Sequence, residues 1–175
     1  WRRPVVSELV AVTLGTGIGG GLVAGGRLLR GARGFAGEPG HMVIVPDGLP
    51  CVCGQRGCWE RYASGTALSE MAEVAFNAGR VRSATTSEGT PVGSGERLVA
   101  LARTGQRAAA EVISQYAGYL ALGIANLMNL LDPELVVISG GVALALDVML
   151  EPIRAELSSN PTVADRLPLV EVAPF

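Results

Sequence analysis

The sequence predicts an α/β fold, because segments with the pattern of a strand alternate along the chain with segments with the pattern of a helix. An apolar run at residues 9–14 ends in a glycine-rich turn, and residues 105–131 carry apolar side chains at helical spacing. A second apolar run, LVVISGGV at residues 135–142, also ends in glycines. Since no repeat or shift of composition divides the chain, we expect one unit spanning residues 1–175.

Local patterns predict the individual elements in order. A strand at Leu9–Leu14 is followed by a glycine-rich turn, a second strand at Gly21–Ala24 and a short third strand after Gly25 and Gly26. Pro133 is expected to stop the longest helix, because proline disfavours helical backbone before it. The other predicted elements are a helix at 64–78 capped by Ser64, a polar loop at 80–96, helices at 95–103, 105–131 and 144–157, and strands within 135–142 and 167–175.

Composition and charge limit the classes of partner. The net charge is −2 and the basic residues are scattered, so no electrostatic surface for nucleic acid or membrane is expected. All 14 basic residues are arginine, which excludes a Schiff-base lysine or a Walker A lysine. The longest apolar run, within residues 117–131, is too short to span a bilayer. Since no signal sequence is visible either, we expect a cytoplasmic protein with a small or metal-bound partner.

The chain's single histidine and its three cysteines lie close together in sequence, as His41, Cys51, Cys53 and Cys58. Three thiolates and one imidazole match the ligands of a closed, structural zinc site. Glycines between the last two cysteines would let the backbone fold around one ion. Free buried thiols or a disulfide are the alternative. The odd number of cysteines argues against a disulfide framework.

Acidic and aromatic side chains flank this stretch. Glu38 and Glu60 would be brought near the same imidazole by folding around one ion, and a pair of carboxylates suits a polyol. The alternative is that both are solvated surface glutamates. Trp59 and Tyr62 are expected to pack the cysteine loop onto the helix at 66–78 rather than to stack on a sugar ring.

Four segments of the sequence together resemble a known family. They are TLGTGIGGGLV (13–23), GEPGH (37–41), CVCGQRGCWERYASG (51–65) and LDPELVVISGGV (131–142). The chain, from about Leu9 to its end, resembles the ROK family of sugar kinases, repressors and open reading frames, and most of all its bacterial ATP-dependent glucokinases. The resemblance implies an actin-like ATPase (ribonuclease H-like) fold. This chain would be its large C-terminal lobe, a mixed sheet flanked by helices with a zinc loop at 38–60.

The resemblance also implies roles for the acidic and histidine residues. In the family, the histidine binds zinc through one ring nitrogen and a sugar hydroxyl through the other, a role that falls on His41. The family's two sugar-binding glutamates fall on Glu38 and Glu60. The implied partners are glucose or a related hexose and ATP, and the implied metal ions are a structural Zn²⁺ and the Mg²⁺ that accompanies ATP.

Two glycine-rich turns would bind the nucleotide. By resemblance, Gly15, Thr16 and Gly17 form the second phosphate loop, whose backbone N–H groups approach the phosphates. Gly140 and Gly141 would form the adenosine loop. Taken alone, the first segment is compatible with an ordinary hairpin turn and the second with a strand-to-helix turn.

Two motifs of the family's kinases do not occur in the sequence. These are a D-x-G-G-T phosphate loop and an N-D pair whose aspartate accepts the proton of the attacking hydroxyl. The first aspartate of the chain is Asp47, within the cysteine loop. We therefore assign no catalytic residue and expect no glucose phosphorylation by this polypeptide alone.

Three other functions are compatible with the same residues. The first is a kinase for another hexose, such as N-acetylmannosamine or N-acetylglucosamine. The second is a transcriptional repressor of the family, which would add a DNA-binding helix-turn-helix, and the third is a zinc-stabilised scaffold or inactive fragment. We expect the protein to form a homo-oligomer, either a dimer or a tetramer.

Overall fold

The computed structural model describes residues 6–82 and 93–172, which form one sheet and surrounding helices. The strands are β1 (Leu9–Leu14), β2 (Ile18–Ala24), β3 (Arg27–Leu28), β4 (Leu135–Ser139) and β5 (Leu169–Val172). The helices are α1 (Glu60–Ala63), α2 (Gly65–Asn77), α3 (Gly95–Arg103), α4 (Arg107–Leu131) and α5 (Leu146–Ser159). Short 3₁₀ turns lie at Pro39–His41, Gly141–Ala145 and Ala164–Arg166.

The sheet is mixed, with strand order β3-β2-β1-β4-β5. Its central strand β1 pairs antiparallel with β2 and parallel with β4, with Leu9 opposite Leu135 and Thr13 opposite Ser139. The carboxyl ends of β1 and β4 therefore lie at the same edge, where the Thr13 and Ser139 hydroxyl oxygens are 2.9 Å apart. Both glycine-rich turns follow these strand ends, and ligands of α/β proteins commonly bind at such an edge.

The hydrophobic core lies between one face of the sheet and the helices. Val10, Val12 and Leu14 alternate along β1 and are all buried, as the period of a half-buried strand requires. Helix α4 buries a broad stripe because it contacts α1, α2, α3 and α5. The breadth of the apolar pattern at 105–131 predicted this burial on more than one side, and the structure confirms it.

Two boundaries next to glycines differ from the sequence prediction. β2 begins at Ile18 rather than at Gly21, because the intervening glycines pair with β1. A Cβ at Gly20 would stand 2.5 Å from the ring of Pro39, so this strand position needs glycine. α4 begins at Arg107 rather than at residue 105, since Gly105 ends the preceding helix with a φ of 82°.

The remaining predicted elements agree with the structure within a few residues. Ser64 caps α2 as predicted, its Oγ accepting the N–H of Ala67 at 3.2 Å. α5 begins two residues later than predicted, because a 3₁₀ turn precedes it, and the one-turn helix α1 was not predicted. Most of the predicted polar loop, residues 83–92, lies outside the described residues. Among those described, no helix combines the length and the apolar character needed to cross a bilayer.

Candidate functional site

The histidine and the three cysteines converge on one point. The potential ligand atoms of His41, Cys51, Cys53 and Cys58 all lie within 4.8 Å of one another. The Sγ atoms of Cys53 and Cys58 are 3.6 Å apart, and Cys51 Sγ is 3.8 Å from His41 Nδ1. Zinc bonds of about 2.3 Å to sulfur and about 2.0 Å to nitrogen place tetrahedral ligands about 3.4–3.8 Å apart. These four residues therefore fit a zinc ion, whose presence stays a prediction.

Two glycines let the backbone turn tightly between the cysteines. Gly54 and Gly57 have φ values of 90° and 81°, a region that other residues rarely adopt. A Cβ at Gly57 would also collide with the carbonyl oxygen of Val45. The carbonyl of Cys51 accepts the N–H of Gly54 at 3.0 Å, which closes the turn. Cys51 and Cys53 would face opposite sides of a strand, but this turn brings them to the same side.

The cysteines differ in their environments. Cys58 is fully buried and Cys51 nearly so, whereas Cys53 is exposed. Burial raises the pKa of Cys51 to about 12 and also raises the pKa of Cys58. A backbone hydrogen bond at Gln55 lowers the pKa of Cys53. Because the thiolate is the form that binds metal, loading this cluster would release protons from the two buried thiols.

Glu60 lies against the cluster and Glu38 lies one turn away. The carboxylate of Glu60, the first residue of α1, is 3.7 Å from His41 Nδ1 and 3.0 Å from Cys51 Sγ. Its side chain is only 15% exposed. Glu38 precedes the 3₁₀ turn that ends at His41, accepts the N–H of His41 on its carbonyl at 3.2 Å, and has an exposed side chain. The structure thus brings Glu60 and His41 into contact.

The aromatic residues of the loop are fixed by α4. The Trp59 indole is fully buried, donates its Nε1–H to the carbonyl of Tyr119 at 2.9 Å, and lies over Gly123, where any Cβ would collide with it. Tyr62 packs against the Tyr119 ring at 5.0 Å between centroids and accepts the N–H of Leu49 at 2.7 Å. α4 therefore takes the role that the sequence prediction gave to the helix at 66–78.

A cleft of about 760 Å³ lies at the carboxyl edge of the sheet. Its walls are the β1–β2 turn, the first turn of α2, the length of α3 and the turn after β4. The lining residues are Gly15, Thr16, Gly65, Thr66, Leu68, Ser69, Gly95, Glu96, Val99, Arg103, Gly141, Val142, Leu144 and Ala145. The volume lies in the range of small-molecule and cofactor sites.

Three of the five predicted nucleotide-binding residues line this cleft. They are Gly15, Thr16 and Gly141. Gly140 supports them, because its φ is 91° and a Cβ there would collide with the last carbonyl of β1. Glycine at this position lets the turn after β4 pack directly on β1.

Gly17 does not line the cleft, and a side chain at this position would point towards the acidic residue of the cysteine loop. A Cβ at Gly17 would stand 2.6 Å from Oε2 of Glu60. The N–H of Gly15 donates to the carbonyl of Gly17 at 3.0 Å, which leaves the amides of Thr16 and Gly17 as the candidates for binding phosphate. The β1–β2 turn therefore separates the cleft from the pair formed by His41 and Glu60.

Sequence reasoning missed the polar side chains on the cleft walls, such as Thr66, Glu96 and Arg103. Arg103 binds Asp147 through two contacts of 2.7 Å and donates to the carbonyl of Leu144 at 2.6 Å, which joins the end of α3 to the start of α5. This guanidinium lowers the pKa of the Asp147 carboxyl. No local motif marks the pair, because its members are 44 residues apart in sequence.

Comparisons with known proteins find similar sequences and similar structures. A model described as the ROK family matches residues 3–173. A glucokinase of Streptomyces coelicolor is 41% identical over 151 residues, which are 84% of this chain and 48% of that protein. The crystal structure of a ROK family glucokinase from Streptomyces griseus in complex with glucose and AMPPNP has a TM-score of 0.80 and 35% identity, covering 95% of this chain and 55% of that one. A ROK family transcriptional regulator, a homologue of the E. coli MLC protein, has a TM-score of 0.79 and 34% identity, covering 95% and 42%.

These matches settle the fold and the family. The chain spans about half the length of the glucokinases it matches. Its mixed sheet with flanking helices has the actin-like ATPase fold that the resemblance implied. Since the family model covers nearly all of the sequence and the matched relatives exceed 30% identity, the chain belongs to the ROK family.

Proposed function

We propose that the chain forms the large C-terminal lobe of a zinc-containing, ATP-dependent hexose kinase, which transfers the γ-phosphoryl group of ATP to the 6-hydroxyl of glucose. One observation carries the proposal. The imidazole of His41 belongs to a cluster of four potential metal ligands and also lies 3.7 Å from the carboxylate of Glu60. The β1–β2 turn separates this pair from a cleft of about 760 Å³.

The sugar would be oriented by Glu38, His41 and Glu60. Carboxylates accept hydrogen bonds from adjacent hydroxyls, and a neutral imidazole can accept or donate one more. Held by the histidine and the three cysteines, zinc would fix the loop and the tautomer of the His41 ring. All four positions would be occupied by protein ligands, so its role here is structural.

The nucleotide would occupy the cleft, with its phosphates at the β1–β2 turn. Backbone amides of Thr16 and Gly17, with Gly15 completing the turn, suit the β- and γ-phosphates, and Gly140 and Gly141 suit the nucleoside. Mg²⁺ would arrive with ATP and neutralise phosphate charge. Phosphoryl transfer needs mainly positioning and electrostatic stabilisation, which backbone donors provide without a lysine.

Binding measurements on this chain test the proposal. Calorimetric titrations are expected to detect both glucose and AMPPNP, since the residues proposed for each are in the chain. A coupled assay with glucose and Mg-ATP is expected to show no turnover, because no residue of the chain is assigned as the general base. The proposed kinase would be contradicted if either glucose or AMPPNP fails to bind. Phosphorylation of glucose by this chain would contradict the prediction that it contains no general base.

Glucose is proposed as the acceptor because both matched kinases are described as glucokinases. N-acetylmannosamine and N-acetylglucosamine are the competing acceptors. A thermal-shift panel with all three sugars is expected to give the largest increase of Tm with glucose. A larger increase with an N-acetylated sugar would reassign the substrate.

A sugar-responsive regulator is the second candidate function. It is favoured by one observation: the ROK family regulator has a TM-score of 0.79, almost equal to the 0.80 of the glucokinase. Nucleotide binding separates the two, because phosphoryl transfer requires ATP. Hexose binding without AMPPNP binding would favour the regulator.

A further inference from the structure

The β1–β2 turn is held in place by the first residues of α2. The N–H of Gly65 donates to the carbonyl of Gly15 at 2.7 Å, and the hydroxyl of Thr66 donates to the carbonyl of Thr16 at 2.8 Å. Two successive carbonyls of the turn are therefore bound by two successive residues of one helix.

Binding these carbonyls also sets the direction of the amides that follow them. In a trans peptide the C=O of one residue and the N–H of the next point in opposite directions, and the described residues contain no cis bond. Since the carbonyls of Gly15 and Thr16 point to α2, the N–H groups of Thr16 and Gly17 point away from it. These are the two amides proposed to bind phosphate.

We propose that Thr66 is a positioning residue for the nucleotide's phosphates, acting through the carbonyl of Thr16. The inference rests on the proposed function. The Thr66 hydroxyl fixes the peptide plane between Thr16 and Gly17, so the Gly17 amide is oriented before ligand arrives. Such preorganisation increases affinity by reducing the ordering that binding requires.

The helix end that holds the turn is itself fixed. The hydroxyl of Tyr116 donates to the carbonyl of Ala63 at 2.6 Å in the core, and the Trp59 indole donates to the carbonyl of Tyr119 at 2.9 Å. Tyr116 and Tyr119 both belong to α4. The corner between α1 and α2 is thus attached to the longest helix at two points, which makes it a rigid support.

The Thr66 hydroxyl is not needed to begin the helix. Ser64 is the N-cap of α2, and its Oγ accepts the N–H of Ala67 at 3.2 Å. A Thr66 side chain without its hydroxyl would leave this cap in place. The contact with Thr16 is therefore expected to act on the turn and not on the stability of α2.

The test compares Thr66→Val, which removes the hydroxyl at constant shape, with Thr66→Ser, which keeps it. Calorimetry on the whole chain measures the Kd of AMPPNP and of adenosine. We expect Thr66→Val to weaken AMPPNP binding about three- to tenfold and to leave adenosine within about twofold. Thr66→Ser should restore AMPPNP binding to the wild-type value, since its hydroxyl can reach the same carbonyl.

Gly65→Ala separates positioning from direct contact between Thr66 and phosphate. A Cβ at Gly65 would stand 2.8 Å from the carbonyl oxygen of Gly15, so this variant displaces the turn while the Thr66 hydroxyl remains. If Thr66 acts by positioning the turn, Gly65→Ala should weaken AMPPNP binding about as much as Thr66→Val does. If Thr66→Val does not fold, the AMPPNP affinity of Gly65→Ala tests the inference in its place.

The outcomes are distinguishable. If the wild-type chain binds no AMPPNP, the proposed function fails and the inference fails with it. If the wild type binds AMPPNP and Thr66→Val binds it equally well, only the inference is overturned. Equal losses for adenosine and AMPPNP in Thr66→Val, or wild-type AMPPNP affinity in Gly65→Ala, would also overturn it.

Discussion

The cysteine loop and the neighbouring cleft differ in the groups that line them. Around the cluster, apolar side chains such as Leu49 and Val52 are exposed, and the atoms that converge are side-chain sulfur and nitrogen. The cleft is formed by the ends of strands and helices, whose backbone hydrogen bonds and core packing hold the walls. We therefore predict that the shape of the loop depends more on a bound ion than the shape of the cleft, which depends on the core.

Removal of the metal is expected to have the largest effect and to separate the two regions. If zinc joins the four ligands, its removal leaves only backbone hydrogen bonds and the packing of Trp59 to order the loop, and His41 is no longer oriented by metal, so glucose affinity should fall by at least about a hundredfold. The Tm should fall by more than about 5 °C. AMPPNP affinity should change by less than about threefold, because α4 holds the corner between α1 and α2, which supports the β1–β2 turn.

Elemental analysis and calorimetry before and after chelation measure these changes. The control is the chelated protein reloaded with zinc, which should regain glucose binding. Unchanged glucose affinity in metal-free protein would show that the loop keeps its shape without an ion. Equal losses for glucose and AMPPNP would show that the two regions are not separate.

Gly123→Ala should produce the next largest effect, because it acts where the loop is attached to the core. The added Cβ would collide with the buried Trp59 indole, and overpacking of this kind costs about 1–3 kcal/mol or more. Gly118→Ala is a matched control on the same helix, since its Cβ would meet only Glu156 Oε1 at 4.0 Å. That substitution should be neutral or stabilise by up to about 1 kcal/mol.

Urea unfolding of both variants gives the two free energies. If Gly123→Ala is no less stable than Gly118→Ala, the indole is not packed on α4 as described. Loss of glucose binding in Gly123→Ala, with retained zinc, would show that Trp59 also sets the position of Glu60.

Glu60→Gln tests the chemistry of the loop and leaves the four predicted metal ligands in place. A charge-assisted hydrogen bond to a hydroxyl contributes about 1.5–3 kcal/mol, so glucose affinity should fall about 10- to 100-fold. Glu70→Gln is the control, since Glu70 pairs with Arg61 at 3.3 Å on the surface and is expected to change nothing measurable. Calorimetry with glucose would contradict the assignment if the two variants bind alike.

The loop was easier to predict from sequence than the cleft, for a physical reason. Sulfur and imidazole are rare side chains with specific chemistry, so Cys51, Cys53, Cys58 and His41 could be recognised as one set from their spacing alone. The structure brings them together within 4.8 Å. The cleft instead uses backbone groups, which every residue has, and its polar wall residues meet only after folding.

The partner of Trp59 shows where local reasoning fails. The nearest helix in sequence was expected to receive the indole, but α4 receives it, about 60 residues away. Gly123 was the available signal, because a glycine inside a long apolar helix often marks the close approach of a large group. Gly21 was likewise taken as the start of β2, since the two preceding glycines favour turns unless a partner strand supplies the pairing.

The Arg103–Asp147 pair should give the smallest effect. Arg103 lowers the pKa of Asp147, so the ionised carboxylate stabilises the fold above its ordinary pKa of 3.8, and this contribution is lost as the pH falls through the lower folded-state value. Both side chains are about half exposed, at 45% and 54%, so solvent screening keeps the contribution below about 1 kcal/mol. Asp147→Asn should therefore be slightly less stable than wild type at pH about 7 and equal to it near pH about 2.

Urea unfolding at both pH values measures the difference, with Glu111→Gln as the control. Glu111 forms a single contact of 2.8 Å with Arg107 one turn away on α4, and Arg107 is 92% exposed, so its loss should cost less than that of the two-contact pair. About 1 M salt should reduce both differences. A stability difference for Asp147→Asn that persists at the acidic pH would mean that the side chain acts through the packing of α5 against α3. The position of this cleft wall would then depend on packing rather than on the charge of the pair.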